Sequence, residues 1–194
     1  MRPAGTIADL RSHLRRFAGD HKAISAVEFA LILPFMVFTY VGSAELSDGL
    51  AIYYKATETA RTVTDLASQY VTIDPTTMQN VLGASAQVMA PYSSANMIVT
   101  LSQVNPTNAN GQGTIAWSCS LNGTPRTYNS TVTLPTNLQT ESGVSIIWGE
   151  VTYPYTPAMG YAVAGTINMY QTIYFYPRLS NSVTLTSTPA NCSS

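Results

Sequence analysis

The stretch from Ile24 to Ala44, ISAVEFALILPFMVFTYVGSA, is 21 residues long and carries one charge, that of Glu28. So apolar a run has few places to go. At about 1.5 Å per residue it forms a helix of about 31 Å, the thickness of a bilayer's hydrocarbon core. Just ahead of it, Arg2, Arg11, Arg15, Arg16 and Lys22 face only Asp9 and Asp20. Lys and Arg beside a span stay on the cytoplasmic side. The run therefore predicts a single-pass membrane anchor, with the N-terminus cytoplasmic and the remainder on the outer side. A cleaved secretory signal fits less well. The run is long for a signal core, and its one small-residue site, Gly42-Ser43-Ala44, leads straight into a helical pattern. The expected organisation is a basic leader over 1–23, a membrane helix over 24–44 and an extracytoplasmic α+β domain over 45–194.

Two residues of the run are unusual for a plain anchor. At the cytoplasmic interface Glu28 would reach into water. Within lipid its ionised form costs roughly several kcal/mol and calls for a positive partner on a neighbouring chain. Pro34 removes one backbone hydrogen bond and predicts a kink or local loosening, a feature that membrane helices tolerate.

The helical pattern continues beyond the apolar run. Leu46, Leu50, Tyr53, Ala56, Ala60, Val63, Ala67 and Tyr70 recur every three or four residues, which predicts one stripe packed on a domain. Glu58 and Arg61, three apart, are placed to pair. Asp74-Pro75 reads as an N-cap followed by Pro at the first helical position. Met78, Val81, Leu82, Val88 and Met89 then give a second, short helix ending before Pro91. From residue 96 the texture changes. The stretches 96–104, 113–121, 144–155, 166–177 and 182–188 are rich in β-branched and aromatic residues and are separated by Asn-, Gly- and Pro-rich turns. Ile147, Gly149, Val151, Tyr153 and Tyr155 share one face, as expected of an antiparallel sheet with its inner face on the long helix. The fold class expected is α+β: a long N-terminal helix packed on an antiparallel sheet, with a second short helix.

Charged residues make up 10% of the 194 residues, against about 25% in an average soluble protein. No basic patch follows the leader, which speaks against nucleic-acid binding. Both histidines, His13 and His21, precede the apolar run. The domain beyond it therefore offers neither a Ser/His/Asp triad nor a His-based zinc site. Phosphate-loop, dinucleotide and calcium-loop patterns are absent from the sequence. Glu141 and Glu150 are a carboxylate pair on residue type alone, although two acids in a polar domain are more often simply solvated. Asn122-Gly-Thr and Asn129-Ser-Thr match the glycosylation sequon, a short pattern that chance often produces. Neither an enzyme nor a cofactor is expected. Cys119 and Cys192 both fall on the outer side, where a pair is expected to oxidise. The loop so closed would stabilise the domain by about 4 kcal/mol through loop-closure entropy. The alternative is two separate small apolar side chains.

The segment KAISAVEFALILPFMVF (22–38) resembles the N-terminus of the TadE-like minor pilins, or pseudopilins, of the tight-adherence (Flp-type) pilus system. The residues that carry the likeness are Ala26-Val27-Glu28-Phe29 and Leu33-Pro34, and VTYPYTP (151–157) looks like an aromatic, Pro-containing element of such proteins. These two stretches make up about an eighth of the chain, and the layout of a long helix on a sheet extends the likeness across most of it, in a pilin-like manner. The resemblance implies the inner membrane as the site of the anchor, with the domain periplasmic or extracellular. The resemblance implies a non-enzymatic subunit that initiates, primes or caps a pilus. Its partners would be the inner membrane, other pilins and the assembly platform, with a prepilin peptidase as processing enzyme. Cleavage between Ala23 and Ile24 would make Glu28 the fifth mature residue. The family has Gly before the cut where this chain has Ala23, and a cut after Gly19 would put Glu28 ninth. Glu28, Phe29 and Pro34 are the residues implied in subunit assembly, with Glu28 facing the new Ile24 amine of a neighbour. The competing expectation is an uncleaved anchor bearing a binding or adhesive domain.

Overall fold

The computed structural model describes residues 21–106, 111–138, 143–159, 165–186 and 191–193. The leader before residue 21, with His13, lies outside the described residues, as does Glu141. The chain divides into two compact units, Met1–Ser47 and Asp48–Ser194. One helix, α1 (His21–Ser68), contributes residues to both. The fold is α+β: the long helix, a short second helix and an antiparallel sheet.

The elements after α1 are β1 (Thr72–Ile73), α2 (Pro75–Met89), β2 (Ile98–Pro106), β3 (Gln112–Leu121), β4 (Thr131–Thr133), β5 (Ile146–Tyr155), β6 (Ile167–Phe175), β7 (Thr184–Leu185) and β8 (Asn191–Ser193). The main sheet has the order β4-β3-β2-β5-β6, and β8 joins β3 in parallel. Each neighbouring pair in the five-strand order is antiparallel. Central β2 pairs along its length with both β3 and β5.

In the second unit, Ile52, Ala56, Ala60, Val63 and Ala67 of α1 pack with Val99, Leu101, Trp117, Ile147 and Val151 of the sheet and with Met78, Leu82 and Met89 of α2. Each such Ile, Val, Leu or Met contributes roughly 1.5–3 kcal/mol by leaving water. The alternation expected in β5 holds: Ile147, Gly149 and Val151 are buried, and Tyr153 and Tyr155 flank the same core.

The stripe on α1 is rotated from its expected position. Ala56, Ala60, Val63 and Ala67 are buried as expected, but Leu50 and Tyr53 are 48% and 46% exposed, and Tyr70 also faces out. Ile52, Thr59, Thr64 and Ser68 take the inner places instead. At Thr64 the sheet comes so close, over Gly149, that only a small side chain fits. The buried hydroxyls satisfy themselves on the helix backbone, Thr59 donating to the Lys55 carbonyl at 2.7 Å and Thr64 to that of Ala60 at 2.6 Å. The expected Glu58–Arg61 pair is not among the ion pairs of the described residues, which are Arg126–Glu150 and Arg178–Asp65.

The cap of α2 is as expected. Asp74 Oδ1 accepts the backbone N–H of Thr76 and of Thr77, both at 3.0 Å, with Pro75 at the first position. Of the last expected strand, 182–188, residues 187 and 188 lie outside the described residues, and Thr184–Leu185 form β7, which pairs in parallel with β1 rather than joining the main sheet. Val183 is drawn into the core by two polar contacts. Its N–H donates to Gln103 Oε1 at 2.7 Å, and its carbonyl accepts Trp117 Nε1–H at 2.8 Å.

Candidate functional site

Within the first unit, α1 carries the apolar run uncovered. Val27, Phe29, Leu31, Phe35, Phe38 and Tyr40 are all exposed. By length and composition α1 is the one helix among the described residues able to cross a membrane. Ala23, Ile24, Glu28, Phe29 and Pro34 all lie within α1, and Ile24, Glu28, Phe29 and Pro34 are exposed. Pro34 leaves the Ala30 carbonyl without its usual helical donor. One turn further on, the Thr39 hydroxyl donates to the Phe35 carbonyl at 2.8 Å, a contact that helps a helix bend.

In the second unit, charged, polar and aromatic side chains on the outer face of the sheet form one connected group. The segment 122–130, between β3 and β4, folds back over that face. Asn122 (φ 56°) and Asn129 (φ 61°) hold left-handed backbone near its two ends, a conformation Asn tolerates better than most residues. Thus both sequon asparagines serve as turn residues. Asn122 Nδ2 is moreover committed to the carbonyls of Met97 and Ala95 at 3.0 and 3.3 Å.

From this segment Arg126 reaches Glu150 of β5. Its Nε and Nη2 donate to Glu150 Oε2 at 3.0 and 2.8 Å, and Nη2 also to Oε1 at 2.7 Å. The guanidinium carbon lies 3.9 Å from the centre of the Trp148 ring. Trp148 also stacks with Tyr174, centroids 5.6 Å apart, and donates Nε1–H to Thr172 at 2.8 Å. Tyr170 completes the group by donating its hydroxyl to Glu150 Oε1 at 2.6 Å. Burial, and then this hydrogen bond to a carboxylate, pushes the Tyr170 phenol up to about 12.

Beneath the segment lie hydroxyl pairs, Thr100 with Ser120 and Ser102 with Ser118, each at 2.9 Å. Ser118 also accepts the Arg126 backbone N–H at 2.9 Å. Such buried polar groups are stable because each finds a partner. A shallow depression of about 260 Å³ is lined by Thr100, Thr124, Arg126, Glu150, Thr152 and Tyr170. Both oxygens of its carboxylate are already occupied, so it offers no free acid or base.

The two cysteines expected to pair are joined: Cys119 of β3 and Cys192 of β8 form a disulfide across directly paired strands. Among the described residues no group of three or more His, Cys, Asp or Glu is placed to hold a metal. Glu150 is in the ion pair, while its proposed carboxylate partner, Glu141, lies outside the described residues. Sequence reasoning missed Arg126, Trp148 and Tyr170 as a group. The register could pair Trp148 with Tyr174 and Glu150 with Thr172, but no local signal marks a turn segment that folds back over a sheet.

Searches against known protein families, curated proteins and solved structures match nothing.

Proposed function

We propose that this chain is a non-enzymatic minor pilin, or pseudopilin, that helps initiate, prime or cap a tight-adherence (Flp-type) pilus. One observation carries the reading. The uncovered apolar run holds a single carboxylate, Glu28, four residues after Ile24, and Pro34 in its middle, in the same helix that continues into an α+β domain. A buried carboxylate is costly in lipid, and a neighbour's amine at Ile24 would neutralise it within a bundle of such helices. Glu28 then sets the register of one subunit against the next. The prepilin peptidase, the inner membrane and the other pilins are the partners this requires.

The experiment replaces Glu28 by Gln and by Ala in the native host. Expected is loss of surface pili with normal recovery of the protein in the membrane fraction. Normal piliation in both variants removes Glu28 from the mechanism. N-terminal sequencing of the mature chain then separates the two readings. A start at Ile24 supports the pilin, whereas a chain retaining Met1 supports an anchored adhesive domain, the reading that Ala23 in the usual place of Gly favours.

A further inference from the structure

The two connections between the long antiparallel strands are of opposite character. Between β2 and β3 the chain passes through the polar stretch NPTNANGQ (105–112), the composition of a turn that faces water. Between β5 and β6 it passes through TPAMGYAVAGT (156–166), with a Thr at each end and otherwise Pro, Ala, Met, Gly, Tyr and Val. Residues 160–164 lie outside the described residues. The Thr156 and Thr166 hydroxyls meet each other at 3.0 Å, just beyond the last rung of the ladder, Tyr155 opposite Ile167. These polar groups are thus satisfied by one another, which lowers the cost of taking them out of water. Ala158, Met159 and Ile167 face outward, Met159 being 72% and Ile167 44% exposed.

Two contacts within the second unit fix where this tip lies along α1. Thr64 fills the space over Gly149, and Tyr155 Cε1 lies 3.5 Å from where a Cβ on Gly49 would stand. β5 therefore runs antiparallel to α1, and its tip lies at the Gly49 end. The polar connection lies at the opposite end, where Val104 pairs with Ile146. Ala44, the last residue of the apolar run, precedes Gly49 by five residues, so the chain holds it within about 18 Å of Gly49. A bilayer that takes up the run is thereby brought within reach of the tip.

We infer that the tip of the β5–β6 hairpin is a second membrane contact, with Met159 and Ile167 seated in the headgroup–acyl boundary of the bilayer that α1 enters. The covalent tether makes this contact intramolecular, so a small apolar surface is enough to hold it. Asp48, the charged residue next to Gly49, is acidic. The contact therefore draws on apolar burial and needs no anionic lipid. The inference rests on the membrane anchor, which both readings of the function share, and not on the pilus.

The test uses the full chain reconstituted into phosphatidylcholine vesicles. Both native cysteines are held in the disulfide, so Met159→Cys supplies one free thiol for a polarity-sensitive fluorophore. The same label is placed through Phe38→Cys in the apolar run and through Thr133→Cys, an exposed position of β4. Expected is blue-shifted emission, quenched by spin-labelled phosphatidylcholine, at positions 38 and 159 and not at 133. Ile167→Asp in the chain labelled at 159 should cut that quenching about twofold or more, because a carboxylate resists leaving water. Far-UV circular dichroism and an intact Cys119–Cys192 bond establish that the variants are folded. Quenching at 38 without quenching at 159 overturns the proposal and leaves the anchor standing, including the case where another protein covers the tip. No quenching at 38 overturns the anchor and the proposal together. Quenching at 159 that is indifferent to Ile167→Asp also overturns it, because the fluorophore is then seeking lipid by itself.

Discussion

The Thr64 hydroxyl of α1 fills the space above Gly149 that a Cβ at that position would occupy. This is the closest approach of helix and sheet that the glycines reveal, and it explains why α1 turns Ala56, Ala60 and Thr64 inward and leaves Leu50 outside. Gly149→Ala should therefore force helix and sheet apart. Overpacking of this kind costs about 1–3 kcal/mol. Urea denaturation should show the loss, and Thr64→Ala in the same chain should recover part of it.

Removal of the disulfide should be more damaging. Cys119 and Cys192 are 73 residues apart, and closing such a loop is worth about 4 kcal/mol by loop-closure entropy. Cys119→Ser with Cys192→Ser should lower the urea midpoint strongly. It should also release β8, so that amides of Ser118–Ser120 exchange faster with deuterium.

Arg126 holds the 122–130 segment by a forked contact to Glu150 and a cation–π contact to Trp148. Arg126→Ala should cost about 2 kcal/mol, the scale of hydrogen bonds to a charged group. Arg126→Lys keeps the charge but not the fork, and should recover less than half of it. Limited proteolysis should then cut within 122–130 faster than it does in the native protein.

Tyr170 provides a pH signature. Its folded pKa lies above its unfolded value, so the protonated phenol stabilises the fold. That contribution is complete below the unfolded value of 10.0 and is lost as pH rises towards about 12. Phenolate absorbance should show Tyr170 ionising late, and Tyr170→Phe should remove that late step. Tyr153 is also raised, by burial first and then by Tyr92.

The Asp74 cap works at the opposite end of the scale. The Thr77 hydroxyl, followed by the Thr77 backbone N–H, lowers its pKa below 3.8. The cap is therefore whole above the unfolded value and fails as pH falls through the folded one. Asp74→Ala should destabilise α2 at neutral pH, whereas Asp74→Asn should retain most of the cap. Circular dichroism during acid titration distinguishes the two.

Elements governed by local chemistry were readable in the sequence. Asp74-Pro75 announces its helix because a cap acts within three residues, and the Ile147–Tyr155 alternation reports its sheet face because side chains alternate along a strand. Tertiary closeness was not readable. Leu46, Leu50 and Tyr53 fit a helical period as well as Ile52 and Thr59 do, and which face lies against the sheet depends on distant partners such as Gly149, which meets Thr64. Three-residue β4 and β8 are too short and too polar to stand out, and β7 is fixed by Trp117 and Gln103, both distant in sequence. The outer-face group depends on Arg126 returning across the sheet, which no periodicity encodes. At the apolar run, by contrast, Glu28 and Pro34 are conspicuous from composition alone.

The bond between Cys119 and Cys192 also changes what breakage means for this molecule. It closes a covalent ring through β4, β5, β6 and β7. A protease that nicks the backbone once anywhere within that ring cuts the chain but frees no fragment, because both new ends remain attached through the sulfurs. The domain would in this way survive a single cut in one piece, and only reduction would reveal that it had been cut.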